Sequence, residues 1–213
     1  TYFDDPLDFE IAIRRPTDVF YFFSLFIPFF DIINFKKTTQ YETIRHALGK
    51  KTAVMKQLIP EREQQKCINS SRLHVGIWIL FILMSIAFQS WLPVLYFLLP
   101  NFYGITLKRL FGLTQHTGLK DNIKDHRYST RTMHLNPIFS FLYWQMEYHI
   151  EHHMFPTVPS HNLPKLHQLV KDQMPPAKKG VWGAYSEIIP TIFKQAKDPS
   201  YELNVAVPNN QNA

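Results

Sequence analysis

The chain contains 35 consecutive residues without Asp, Glu, Lys or Arg, running from Leu73 to Leu107. A membrane-spanning helix needs about 20 apolar residues, so one straight helix of this length would exceed the bilayer. The polar pair Gln89–Ser90, followed by Pro93, offers a turn near the middle of the stretch. The stretch therefore predicts a transmembrane hairpin with spans at about 73–89 and 91–107. A buried hairpin in a soluble helical protein is the alternative.

The charges that flank this stretch predict its orientation. Residues 36–72 carry nine Lys and Arg against three Glu, and Lys108 and Arg109 follow the stretch directly. Because the cytoplasmic flanks of membrane spans are rich in Lys and Arg, both ends of the hairpin are predicted to face the cytoplasm. This topology also accounts for the net charge of +6, so nucleic-acid binding is not needed to explain the basic composition.

Other segments predict further helices. The apolar segment Val19–Phe30 is too short to span a bilayer and predicts an interfacial or re-entrant helix bent by Pro28, with a buried core helix as the alternative. Pro137 suits the first position of a helix, and residues 137–154 predict one helix that ends in a group of histidines. A short amphipathic helix between prolines follows, and residues 196–213 predict a disordered tail. The expected fold is an all-α integral membrane protein with a cytoplasmic helical region that carries the histidines.

The segment HIEHH, residues 149–153, places three histidines within little more than one helical turn. On a helix, His149 shares a face with His152 and with His153. His152 and His153 point about 100° apart. The segment can therefore direct imidazoles at two neighbouring points, which suits a pair of metal ions. A polar histidine patch at the membrane interface is the alternative.

Other kinds of metal site fit this spacing less well. A zinc peptidase would require HExxH or HxxEH, and the only cysteine, Cys67, excludes a site built from several thiolates. Three ligands are too few for two metals, so His116, just past the second predicted span, is the best distant candidate. Three histidines are weaker candidates: His126, His134 and His161. Three others are assigned packing or surface roles: His46, His74 and His167.

Several motifs together resemble the C-terminal half of membrane fatty-acid desaturases. They are QHTG at residues 115–118, the charge-free hairpin, and HIEHHMFPTVPSHNLPKLH at residues 149–167. The combination of HxxHH with FPxxPxxxLPxLH is specific, and the likeness covers about residues 1–195. Within the family, the chain is most similar to the bacterial branch that includes dihydrorhizobitoxine-type desaturases and related hydroxylases.

This resemblance implies an O₂-dependent enzyme that uses two irons at the cytoplasmic membrane face to introduce a double bond or a hydroxyl group into an acyl chain or lipid. It implies that four histidines are metal ligands: His116, His149, His152 and His153. It also implies an electron donor, either a ferredoxin or a cytochrome b-type protein. Glu147 and Asp125 are the expected acceptors of hydrogen bonds from ligand imidazoles, with a plain polar helix residue as the equal alternative for Glu147.

The sequence also departs from the family pattern. The family has two further histidine boxes upstream, and only two histidines precede His116 here. We therefore expect residues 1–195 to be the C-terminal part of a longer desaturase domain that would be inactive alone. Within it, residues 73–107 would form the hairpin and residues 108–175 the metal-site region. The alternative is a non-catalytic, membrane-anchored metal-binding protein or an inactive truncated relative.

Overall fold

A computed structural model of the chain describes residues 17–33 and 35–208. These residues are mostly helical, which confirms the helical part of the expected fold. The helices are α1 (Val19–Ser24), α2 (Phe30–Ile33), α3 (Thr39–Ala47), α4 (Ala53–Leu58), α5 (Glu61–Ala87), α6 (Pro100–Tyr103), α7 (Ile105–His116), α8 (His126–Ser129), α9 (Pro137–Leu142), α10 (His149–Met154), α11 (Leu163–Val170) and α12 (Gly180–Lys197). Two short strands, β1 (Met133–His134) and β2 (Lys178–Lys179), pair in parallel.

The described residues divide into two units. Residues Leu25–Thr106 form one unit, and the other joins the residues up to Ser24 with those from Leu107 onward. The second unit contains every histidine that the sequence predicts to be a metal ligand.

Helix α5 is the longest element of the unit Leu25–Thr106. Its 27 residues begin directly after Pro60 and include the first part of the charge-free stretch. Leu80, Leu83 and Ile86 are all more than half exposed, and a soluble monomer rarely leaves such a large apolar surface uncovered. Among the described residues, α5 alone is long and apolar enough to be a candidate membrane span.

The chain turns after α5 and returns beside it. Gln89 has a left-handed φ of +46°, and the ring of Phe97 stacks on that of Phe81 with centroids 4.1 Å apart. The returning segment is not one helix, because it is divided into a π-helical turn at Val94–Leu98, then α6 and α7. Pro100 lacks a backbone N–H and favours such a division. The turn agrees with a hairpin, whereas two complete spans stay a prediction.

The apolar segment near the N-terminus is not one helix bent by Pro28. It contains α1 and α2, separated by a turn in which Phe29 has a φ of +64°. Phe22 is buried and Phe20 is 82% exposed, so α1 packs on one face only. The break contains both Pro28 and the left-handed Phe29, and a helix interior accommodates neither.

The prediction of a single helix over residues 137–154 is wrong. Helices α9 and α10 are separate, and the turn between them contains Trp144 and Gln145, each with a φ of +56°. Left-handed backbone ends a right-handed helix. Glu147, buried in the same turn, accepts a hydrogen bond from the Ser140 hydroxyl. The break allows α10 to take its own direction.

Helix α12 provides much of the core of the unit that contains the histidines. Its apolar face buries Ala184, Ile188 and Ile192 completely. The predicted tail from residue 196 overlaps the end of α12, and farther along the tail the N–H of Leu203 donates to the carbonyl of Gly118 at 3.2 Å. Disorder of residues 196–213 stays a prediction.

Candidate metal site

Three histidines from two helices bring their ring nitrogens together. His116 is the last residue of α7, and His149 and His153 lie one turn apart on α10. The Nε2 atom of His149 is 3.0 Å from Nε2 of His116 and 3.2 Å from Nε2 of His153. All three potential ligand atoms lie within 4.8 Å of one another. The spacing of four residues puts the two α10 rings on one face, as the sequence predicts.

The other edges of two of these rings are fixed by neighbours. Nδ1 of His116 donates to the carbonyl of Ser129 at 2.9 Å. This bond leaves the Nε2 lone pair of His116 directed at the other rings. The Gln115 side-chain amide lies 3.0 Å from Nδ1 of His149 and also donates to the carbonyl of Met146 at 3.2 Å. Such outer contacts set the orientation of imidazoles that bind metals.

The surroundings of His149 and His153 keep these two imidazoles uncharged. Burial holds the pKa of His149 well below its ordinary value, and neighbouring histidines lower that pKa further. Burial, followed by the proximity of His116, lowers the pKa of His153 to about 3. Metal ions bind the neutral form of imidazole, and at neutral pH both side chains are in that form.

His152 lies beside this group and not within it. Its ring centroid is 5.6 Å from that of His149 and 5.7 Å from that of His153. His126, a weaker candidate from the sequence, stacks on His153 with centroids 4.8 Å apart. Its buried Nδ1 atom has no hydrogen-bond partner among the described residues, and burial lowers the pKa of this histidine. Ligation by His152 or His126 stays a prediction.

The remaining histidines have other surroundings. His46 is buried, and its Nε2 lies 2.8 Å from the Thr52 hydroxyl. His74 is exposed, with Nδ1 bonded to the carbonyl of Ser70 at 2.8 Å. Two more are exposed: His134 and His161. These contacts agree with the packing and surface roles predicted for His46 and His74, whereas ligation by His134 or His161 stays a prediction.

The two carboxylates expected to bond ligand imidazoles have different partners. Asp125 caps α8 by accepting from the backbone N–H of Arg127, and it also accepts from that residue's guanidinium at 2.8 Å. Hydrogen bonding to Arg127 holds the pKa of Asp125 below its ordinary value. Glu147 is 2% exposed and accepts from Ser140. Within the described ranges, neither carboxylate accepts a hydrogen bond from a histidine.

A buried segment, Ser129–Met133, holds the end of α7. Arg131 within it is 5% exposed, and its guanidinium donates to the carbonyl of Thr114 at 2.5 Å and of Thr117 at 3.3 Å. Burial lowers the pKa of Arg131 to about 10, so the guanidinium stays charged at neutral pH. Carbonyls at a helix C-terminus lack partners within the helix. Arg131 therefore stabilises the turn that carries His116.

The same segment holds α10 from the other side. The hydroxyl of Thr132 donates to the carboxylate of Glu151 at 2.7 Å and accepts from the N–H of Ile150 at 3.3 Å. Glu151 is fully buried, and its other oxygen accepts from Nδ1 of His167 on α11. The sequence patterns did not single out Glu151, and His167 was expected to have a packing role. The available signal was a charged residue inside HIEHH followed by LPKLH.

The donor set fits an iron ion. Three imidazoles converge there, without a thiolate or a carboxylate among the residues that the structure describes. Imidazole is a suitable ligand for Fe, Zn, Cu and Ni, so these residues accept iron without selecting it.

Comparison with known proteins identifies the family. The family model described as fatty acid desaturase matches residues 1–185. The comparisons with curated proteins and with solved structures gave no match. The matched residues include the candidate membrane helix and all of the converging histidines. The chain therefore belongs to the fatty acid desaturase family.

Proposed function

We propose that the chain functions in an O₂-dependent, di-iron oxidoreductase that introduces a double bond or a hydroxyl group into an acyl chain or lipid. Family membership supports an oxidoreductase of lipid metabolism that is associated with a membrane. The convergence of His116, His149 and His153 is the single observation that carries the proposal. When bound, the irons would supply the activation of O₂ and the removal of hydrogen from the acyl chain.

The residues of the chain would bind and orient the irons. In this proposal His116, His149 and His153 serve one iron, and His152, whose ring lies beside the group, serves the other. Four imidazoles are too few for two irons, so the proposal requires further ligands. Burial of His149 and His153 supports the proposal because it keeps these two rings in the neutral form that binds metal.

The membrane arrangement is part of the proposal. Helix α5 would cross the bilayer, and the segment after Gln89 would return to the same side. The basic residues between 36 and 72 support a cytoplasmic location for both ends of this hairpin and for the metal site. A ferredoxin or a cytochrome b-type protein would deliver electrons on that side. A relationship to the dihydrorhizobitoxine-type branch is supported by the motifs of residues 115–118 and 149–167.

Product analysis tests this function. Cells that express the natural full-length protein should accumulate acyl chains with a new double bond or hydroxyl group. His116→Ala, His149→Ala and His153→Ala should each abolish the product, because an open ligand position changes the geometry and retention of the metal. His161→Ala, a substitution of an exposed histidine, should retain activity and serves as the matched control. Iron binding without any product would favour a non-catalytic metal-binding protein.

A further inference from the structure

We propose that Glu151 and His167 are positioning residues that fix the rotation of α10 and thereby aim His149 and His153 at the metal. This inference rests on the proposed function, because it concerns the geometry of the ligands. It adds two residues to those with a part in the site.

Helix α10 needs support from outside. It has only six residues, and no side chain caps its N-terminus at Tyr148. Isolated helices shorter than about 12 residues are marginal in water, so tertiary contacts must hold such a short helix. A short helix that carries ligands on one face keeps its rotation only when its opposite face is tied.

Glu151 lies on that opposite face. At about 100° per residue it is about 200° from both His149 and His153, so its side chain points away from the converging nitrogens. It is 0% exposed, the most complete burial in the HIEHH segment. The carboxylate is therefore placed to anchor the back of α10.

Both oxygens of this carboxylate are bonded. One accepts from the hydroxyl of Thr132 at 2.7 Å and the other from Nδ1 of His167 at 2.5 Å. A buried carboxylate without partners is costly, so the fold must keep these contacts. Hydrogen bonds to a charged acceptor are short and strong, which makes this pair resistant to rotation of the helix.

The ring of His167 is itself held in place by neighbouring rings. It is 6% exposed, with ring centroids 5.2 Å from Tyr148 and 5.4 Å from His134. Helix α11 has Pro164 in its first turn, which presets the start of the helix. This arrangement gives the LPKLH motif a physical role, because it brings Nδ1 of His167 to Glu151.

A pair of substitutions at His167 separates positioning from packing. Asn keeps an N–H donor near the place of Nδ1 but fills less space, whereas Leu fills the space and removes the donor. The purified full-length protein in detergent is titrated with Co²⁺, whose visible absorption reports on ligand geometry. His167→Leu should weaken Co²⁺ binding by about 10- to 100-fold, the usual loss for partners that orient a ligand, and alter the spectrum. His167→Asn and the control His161→Ala should remain close to the wild type.

A second arm uses Glu151 itself. Glu151→Gln should change the Co²⁺ spectrum in the same direction as His167→Leu. The losses of the two single variants should not add in the double variant, because Glu151 and His167 share one contact. If His167→Leu lacks the helical circular dichroism of the wild type, that variant is misfolded, and Glu151→Gln provides the test in its place.

The outcomes distinguish the two proposals. A wild-type protein that takes up no Co²⁺ would overturn the metal site, and the positioning role with it. The wild type can also take up Co²⁺ while His167→Leu keeps the wild-type affinity and spectrum, or keeps them better than His167→Asn does. Either result would overturn only the positioning role.

Discussion

At the scale of single residues, burial decides how protons compete with a metal for the histidines. An ordinary histidine has a pKa of about 6.5 and loses metal affinity as the pH falls below that value. Burial moves the pKa values of His149 and His153 below it. The neutral, metal-binding form of these two rings therefore persists to lower pH than it does on a protein surface.

This burial predicts a weak dependence of Co²⁺ affinity on pH. As far as His149 and His153 control it, the affinity should stay nearly constant between about pH 7.5 and about pH 5, because their pKa values lie below the ordinary 6.5. Titrations with Co²⁺ at a series of pH values provide the measurement. A steep loss of affinity that begins near pH 6.5 would show that the rings titrate as exposed histidines do.

Two neighbouring histidines should respond differently to substitution. His153→Ala should weaken binding of the first Co²⁺ ion, because it removes one of the three convergent nitrogens. His152→Ala should leave that first ion bound but abolish product formation, since we assign this ring to the other iron. Metal titration and product analysis of both variants provide the check. Equal loss of the first ion in both variants would place His152 in the converging group.

At this scale the sequence predicts spacing but not pairing. The period of the helix puts His149 and His153 on one face. The bond between Glu151 and His167 joins residues 16 positions apart on two helices. No local pattern reports such a contact, because it depends on how α11 packs against α10.

At the scale of elements, the buried segment Ser129–Met133 links the two helices that carry the converging histidines. Arg131 bonds carbonyls at the end of α7, and Thr132 bonds Glu151 of α10. Both helices therefore depend on the same short stretch of backbone for their mutual placement.

Thr132→Val tests this link with little change in side-chain volume. It removes the hydroxyl that donates to the buried Glu151 carboxylate, and an unsatisfied buried group costs about 1–3 kcal/mol. The free energy of unfolding in detergent provides the measurement. Thr130→Val is the matched control, because Thr130 is equally buried and its hydroxyl makes, among the described residues, only a 3.4 Å contact with Ser129. An equal loss in both variants would argue against a specific role for Thr132.

Some elements are predictable from the sequence and others are not, for physical reasons. Helix α11 was predicted between prolines because proline limits the possible start and end of a helix. The break between α9 and α10 was missed because Trp144 and Gln145 are not typical turn residues. Their left-handed conformation accompanies the burial of Glu147 against Ser140, a tertiary contact that helical periodicity does not reveal.

At the scale of the whole molecule, α5 and the segment after it determine how the chain meets a membrane. The exposed apolar side chains of α5 agree with a span, and the stacking of Phe97 on Phe81 agrees with a return of the chain. The positive charges on both flanks predict the same side for both ends.

Reporter fusions test this topology. Fusions after Arg72 and after Arg109 should both report the cytoplasm, and a fusion after Ser90 should report the opposite side. The reason is that charged flanks remain cytoplasmic whereas the uncharged turn can cross. Reporters after Arg72 and Arg109 on opposite sides would exclude the hairpin.

The proposed function depends above all on the binding of one iron by His116, His149 and His153 together. X-ray absorption at the iron edge of the purified, iron-loaded full-length protein tests it most directly, because imidazole ligands give a characteristic scattering pattern. We expect an iron shell dominated by histidine nitrogens, with imidazole scattering reduced in His153→Ala and unchanged in His161→Ala. An iron shell of oxygen ligands alone, or a shell unaffected by His153→Ala, would contradict it.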